Sequence, residues 1–509
     1  MDRRSFLKLG GGLVLLAACR DSFSSKEKIK QAKFVIHIDS NSAIGHKVRI
    51  AIELPVTRSI ETETLVVGAG IAGLAAACSL NSNKFVLCEL DPTLGGTSGA
   101  ININGDLYSQ GAHYDLAYPS NYGKEGLFLL EKLEIIHFNE KSKLWEFVDK
   151  QYLISSDKEE ACYYNGSIRE SVLPNTELKQ NFIALLKTYD NQLPLPSTLF
   201  QKELHQLDRL TFYDYLNKYL PINHEFIEAI DYQMLDDFGG TSTQISALAG
   251  IHYYKCRPYY ESKELELFSP PQGNYYFIQK MAAQLDPANI QKNHLVFGLQ
   301  QKGKKWHADV LDTQNMIRKE YISDNVIYAG QKHALKYIHK DSYAAFNDVS
   351  YAPWVVINIE LDNAILENSK WQNDFLSPDG TFLGFVDSKV QDKTKNRVLT
   401  AYYCFPSIHH YVVKNFESSA EDLVHETIAN ISLYYKKDIG SYIKQVFIKL
   451  LGHAMPIPQP GYLTRERTLV KDKLAFAGVD TGRLPLMFDA LDSGIQAAKA
   501  INNLSSIII

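Results

Sequence analysis

The chain is short of cysteine. Its 509 residues hold 6, and no two stand in the C-x-x-C spacing that binds zinc or runs thiol–disulfide exchange. Cys78 and Cys88 fall in adjoining apolar segments, where thiols are plain core residues. Cys162, Cys256 and Cys404 are scattered, and no set of residues has metal-ligand spacing. A basic excess is missing too: 53 Lys and Arg stand against 58 Asp and Glu, for a net charge of −5. That balance argues against a nucleic-acid partner. Internal repeats and low-complexity blocks are absent. The apolar run over residues 9–18 is about half the ~20 residues that cross a bilayer. What remains is a globular chain long enough for two lobes and a large buried core.

What the chain does have is concentrated in residues 62–98. Leu65, Val66 and Val67 read as a short buried strand, and Gly68-Ala69-Gly70-Ile71-Ala72-Gly73 follows at once. A helical pattern comes next, then a second apolar run over residues 84–90 that contains Glu89 and ends on Leu90. This is a β-α-β unit with a G-x-G-x-x-G turn. Gly68 permits the tight turn, Gly70 lets a pyrophosphate approach the backbone, and Gly73 lets helix and strand pack closely. Ile71 and Ala72 open the helix, whose free N–H groups and partial positive charge suit phosphate. Glu89 sits where a carboxylate accepts the hydroxyls of an adenosine ribose. Strand, helix and acid agree on a dinucleotide.

Beyond Glu89 the chain reads E-x5-G-G through Gly95 and Gly96, then Thr97 and Ser98. Tyr108 to Asp115 carries Gly111-Ala112-His113, and the C-terminal part has Gly478-Val479-Asp480 followed by Ser493-Gly494-Ile495 and two alanines. With these motifs the sequence resembles the FAD-dependent amine oxidase, phytoene desaturase and protoporphyrinogen oxidase superfamily. The resemblance implies FAD as cofactor, held by the first turn, Glu89, Leu90, Gly95 to Ser98, Gly111 to His113, Gly478 to Asp480 and Ser493 to Ile495. Where the family places an arginine after its second glycine pair, this chain has Thr97, so that guanidinium's contact is lost or replaced. His113 falls beside the expected flavin as proton acceptor, flavin contact or covalent anchor. Residues 452–462 resemble the family's A-x-P segment, which makes His453 and Tyr462 further catalytic candidates. The neighbourhood of Tyr351 offers no lysine of the kind that several amine oxidases use to hold a water.

The implied fold class is α/β: a Rossmann-like FAD-binding lobe (residues 61–118, 286–345 and 446–509) interwoven with a mixed-sheet and helical substrate lobe (119–285 and 346–445). Residues 33–53 alternate as two short strands and are expected to form an accessory hairpin within a leading segment, residues 20–60. Residues 1–19 match a twin-arginine export signal, Arg3-Arg4-Ser5-Phe6-Leu7-Lys8, with a lipobox ending at Cys19. The expectation is a lipoprotein of the bacterial cell envelope, tethered to membrane through Cys19 and facing the periplasm. Its activity would be hydride transfer from a small organic substrate to flavin N5, with oxygen, a quinone or a redox protein taking the electrons. A desaturase or isomerase of an apolar or lipid substrate is the second reading, and a non-catalytic flavin subunit of an exported complex the third.

Overall fold

The computed structural model describes residues 34–39, 42–50, 52–112, 122–154, 160–255, 267–362, 366, 369–377 and 380–506. The export signal, Cys19 and His113 lie outside them. Among the described residues no helix is long and apolar enough to cross a membrane.

Two large sheets organise the chain. In the first, the strands run Ile290–Gln291, Phe85–Cys88, Val56–Val67, Ile317–Tyr328, Lys305–Asp312 and His294–Lys302. The neighbours of Val56–Val67 pair with it in parallel, Thr64 opposite Phe85 and Tyr328 opposite Val67. Leu474–Phe476 adds in parallel to the far end of Ile317–Tyr328. Central parallel strands are covered on both faces and so read as unbroken apolar runs; Leu65, Val66, Val326 and Ile327 are fully buried. Helices Ile71–Ser79, Tyr275–Ala282 and Met487–Ser506 cover one face. Trp306, Tyr321, Leu335 and Phe346 cover the other.

The second sheet runs Val35–Asp39, Ile443–Pro456, Tyr351–Leu361, Val398–Cys404, Phe382–Asp387, Gln372–Phe375, Glu160–Tyr164 and Ser167–Arg169. The amphipathic helix Phe416–Tyr435 packs behind it through Leu423, Ile428 and Ile431. Strands from before residue 170 and after residue 350 share this sheet, so it is built from stretches of chain that the strands of the first sheet separate.

Two sequence expectations are corrected. The described residues between 34 and 53 form no hairpin on the nucleotide lobe. Val35–Asp39 pairs in parallel with Ile443–Pro456, Val35 opposite Gln445, while 42–49 coil into the helical turns Ser42–Gly45 and His46–Arg49. The apolar alternation around Val48 serves one anchor contact and not a pleat. The last nucleotide-lobe segment also begins later than residue 446, because Ile443–Pro456 hydrogen-bonds along Tyr351–Leu361.

Candidate functional site

The glycine turn folds as its chemistry requires. Gly68 has φ +96°, a left-handed conformation that disfavours side chains, and a β-carbon there would lie 3.2 Å from the Ala329 carbonyl. Gly70 begins the helix Ile71–Ser79, leaving its first N–H groups open toward a cavity. The second glycine pair closes over the first: the Gly95 N–H donates to Ala69 O at 3.0 Å, and Gly70 and Gly95 form a parallel bridge. Gly95 itself has φ +121°. Gly111 must also be bare, since a β-carbon would sit 2.1 Å from Thr97 O, and the Ala112 N–H donates to that same oxygen at 2.7 Å.

Glu89 ends the path of Phe85–Cys88 and faces this cradle. The Ala69 N–H donates to one carboxylate oxygen at 2.7 Å and the Asp91 N–H to the other at 3.0 Å. Burial still pushes its acid up to about 7, against these donors. A folded value above the ordinary 4.5 means that the folded chain binds the proton more tightly. The stability this confers is present below pH 4.5 and is lost as pH rises through about 7. Without a cofactor the loss should reach up to about 3 kcal/mol. Urea unfolding of apoprotein at pH 5 and pH 7.5 checks this; Glu89→Gln should flatten the difference, and an equal slope in both proteins would refute the assignment.

One cavity of about 1720 Å³ runs from this cradle into the substrate lobe, against about 300–1,000 Å³ for ordinary small-molecule sites. Gly68, Gly70, Ile71, Ala72, Glu89, Leu90, Gly95, Gly96, Thr97, Ser98, Gly111 and Ala112 line one end. Gly478, Val479 and Asp480 line it from the C-terminal strand. Trp354, Tyr402, Leu383, Phe385, Leu451 and Ile457 line the other arm. The Tyr402 hydroxyl donates to Gly111 O at 3.3 Å, which joins arm and cradle.

Asp236 and Asp237 also line the cavity. They occupy the last turn of His224–Phe238, which Gly239 ends at φ +72°. A β-carbon on Gly239 would meet the Ala352 methyl at 2.3 Å, so the glycine lets the helix end press against Tyr351–Leu361. Carboxylates at a helix C-terminus oppose the macrodipole; helix stability does not explain the pair. Asp236 bears electrostatically on both Tyr402 and Cys404.

His453 lines the cavity and stacks on His333, ring centres 3.8 Å apart at 14°. Burial pushes His333 down to about 3, and the neighbouring His453 adds to the shift. Burial, then Arg49, His46 and Lys336, takes His453 down to about 4. Both rings are neutral at physiological pH. Beneath them, the Tyr351 hydroxyl donates to Asp480 at 2.8 Å. Lys332 is wholly buried, and its ammonium donates to Gly330 O, Ala477 O and the Asp480 carboxylate. Those three acceptors use its three protons, so this lysine clamps two strand ends and does not hold a water in the cavity. The sequence reading missed it, because its partner lies far along the chain.

Five expected site residues do not reach the cavity. Tyr462 is buried, with its hydroxyl donating to Val479 O at 2.7 Å. Ser493 accepts the Gly478 N–H at 2.9 Å and so ties turn to helix. A β-carbon on Gly494 would lie 2.1 Å from Ala72 O, which makes it a helix-crossing point. Ile495 is core. The reason is register: the helix begins at Met487, and Pro485 to Phe488 present its N-terminal end to the cavity. Gly73 lies behind the turn, its β-carbon position 1.8 Å from Gly68 O.

The residues present fit a dinucleotide. The paired turns leave a cradle free of side chains, and the buried Asn274 Oδ1 and His333 Nδ1 at the cavity wall have no hydrogen-bond partner among the described residues. Residues 66–124 match the family model described as an NAD(P)-binding Rossmann-like domain. Sequence comparison with curated proteins finds no match. Among solved structures, putrescine oxidase bound to putrescine superposes with a TM-score of 0.62 at 14% identity, covering 88% of this chain and 99% of that one. Cyclohexylamine oxidase from Brevibacterium oxydans gives 0.59 at 13%, covering 87% and 99%. A CLA-producing fatty acid isomerase from P. acnes gives 0.59 at 13%, covering 86% and 98%. The chain has their fold.

Proposed function

We propose that the chain is a FAD-dependent oxidoreductase that removes hydride from a small organic substrate, with an amine as the favoured class. The observation that carries the reading is the continuous cavity, which joins the cradle at Gly70 and Glu89 to an aromatic arm containing Asp236 and Asp237. FAD bound in the cradle would supply a two-electron acceptor at the point where the arm meets Gly111. Asp236 and Asp237 suit a substrate that carries positive charge, and the ring edge between Trp354 and Tyr402, centres 5.7 Å apart, adds an aromatic wall. An ammonium substrate first gives one proton to solvent, which frees the nitrogen lone pair; that pair then closes a C=N bond as hydride leaves the adjacent carbon, giving an iminium. Oxygen, a quinone or a redox protein would then take the electrons.

The apolar lining at Leu383, Phe385, Leu450 and Met455 favours a second reading, desaturation or isomerisation of an apolar substrate. Anaerobic titration of the FAD-loaded protein separates the two. Bleaching of the flavin band by amines, lost in Asp236→Asn, supports the first reading. Silence to amines with turnover of an unsaturated apolar compound supports the second.

A further inference from the structure

The helical turns Ser42–Gly45 and His46–Arg49 precede the glycine turn in sequence and, through Gly45, His46, Val48 and Arg49, line the cavity that the glycine turn opens into. Val48 packs against the apolar cluster that contains Val67, Cys88 and Tyr328, the last residues of three neighbouring parallel strands. A β-carbon on Gly45 would lie 3.7 Å from the side chain of Leu90, next to Glu89. Parallel sheets take their ligands in the crevice outside the carboxyl ends of the strands. The segment therefore spans the mouth of that crevice. One end continues into Val35–Asp39 on the substrate sheet, where Asp39 pairs with Lys449 at 3.2 Å; the other leads to Val56–Val67 in the nucleotide sheet.

Charge gives the segment a ligand. The two glycine turns bring backbone N–H groups but no cation, and the neighbouring Asp91 is acidic. Arg49 lines the same cavity, is exposed, and makes no hydrogen bond or ion pair among the described residues. Its charge is felt at both His333 and His453, so the guanidinium lies near both rings. Lys336 lines the cavity from a second element, Leu335–Ile338. The negatively charged part of a dinucleotide is its diphosphate, which a guanidinium's planar fork matches.

We propose that Ser42–Arg49 is a strap across the bound dinucleotide and that Arg49 binds its diphosphate, with Lys336 adding positive charge. This rests on the FAD reading above. The strap supplies the cation that Thr97 does not, and it ties the two lobes together across the cofactor.

The test measures FAD binding by the full-length apoprotein through quenching of flavin fluorescence, with no turnover involved. Arg49→Gln should weaken FAD about ten- to a hundredfold, the loss of one charge-assisted contact. Arg49→Lys should recover part of that loss. The salt dependence of binding should become shallower in Arg49→Gln, while the melting temperature of the apoprotein stays at the wild-type value. FAD should slow tryptic cleavage after Lys47 in the wild type. Wild-type FAD affinity in Arg49→Gln overturns the proposal, and so does weaker binding accompanied by an equally destabilised apoprotein. A wild-type protein that binds no FAD overturns the function reading itself, a different failure from a variant that binds it unchanged.

Discussion

Replacing Gly70 by alanine is expected to give a folded protein that has lost its flavin. The backbone at Gly70, φ −75° and ψ −174°, is one that alanine adopts without strain. The nearest protein atom to the added methyl is Gly95 O at 3.6 Å, an ordinary contact. The protein therefore has room for the methyl, and unfolding free energy should stay within about 0.5 kcal/mol of wild type. The space it occupies is the one a diphosphate needs to reach the N–H groups at the start of Ile71–Ser79. Affinity for FAD should fall at least about a hundredfold, the loss of one or two charge-assisted hydrogen bonds. Circular dichroism and flavin absorbance on the same sample check both halves. A variant that is stable and fully yellow would place the dinucleotide elsewhere.

Gly73→Ala should do the reverse and attack the fold. Its β-carbon would lie 1.8 Å from Gly68 O and 3.3 Å from the Ala329 methyl. The first obstacle is backbone, so no side chain can swing aside. Helix Ile71–Ser79 would have to lift from the sheet, at a cost of roughly 3 kcal/mol or more, the upper end of overpacking effects. The same helix is pinned from its other side, where Gly494 presses against Ala72 O. Urea denaturation of the apoprotein reads the effect without any cofactor. Wild-type stability in Gly73→Ala would mean that helix and strand do not approach as closely as described. Three positions apart, the two glycines should thus separate ligand binding from folding.

The cradle was legible in the sequence because its chemistry constrains the backbone: a diphosphate tolerates few arrangements of glycine, helix start and acid, and Gly68 to Gly96 meets them locally. Other parts depend on contacts that a single sequence does not record. Lys332 looks like a surface lysine until Asp480 is placed beside it. Tyr462 and His453 stand in one motif, yet one is core and the other faces the cavity; nothing in their spacing distinguishes these. The serine–glycine pair at 493–494 was legible as important but not in its role, because the helix starts earlier, after Pro485. Residues 33–53 carry a strand-like alternation, but among the described ones Val35–Asp39 alone joins a sheet, and the helical turns over 42–49 are anchored through Val48. The position of Asp236 and Asp237 depends on how Gly239 seats the helix end against Ala352.

The central claim is that the paired glycine turns hold a flavin dinucleotide, and the visible absorption spectrum of natively purified protein tests it most directly. The account predicts flavin bands in about one-to-one proportion with the chain, released on denaturation as FAD or retained if the link is covalent. Colourless protein that also fails to take up added FAD would contradict it.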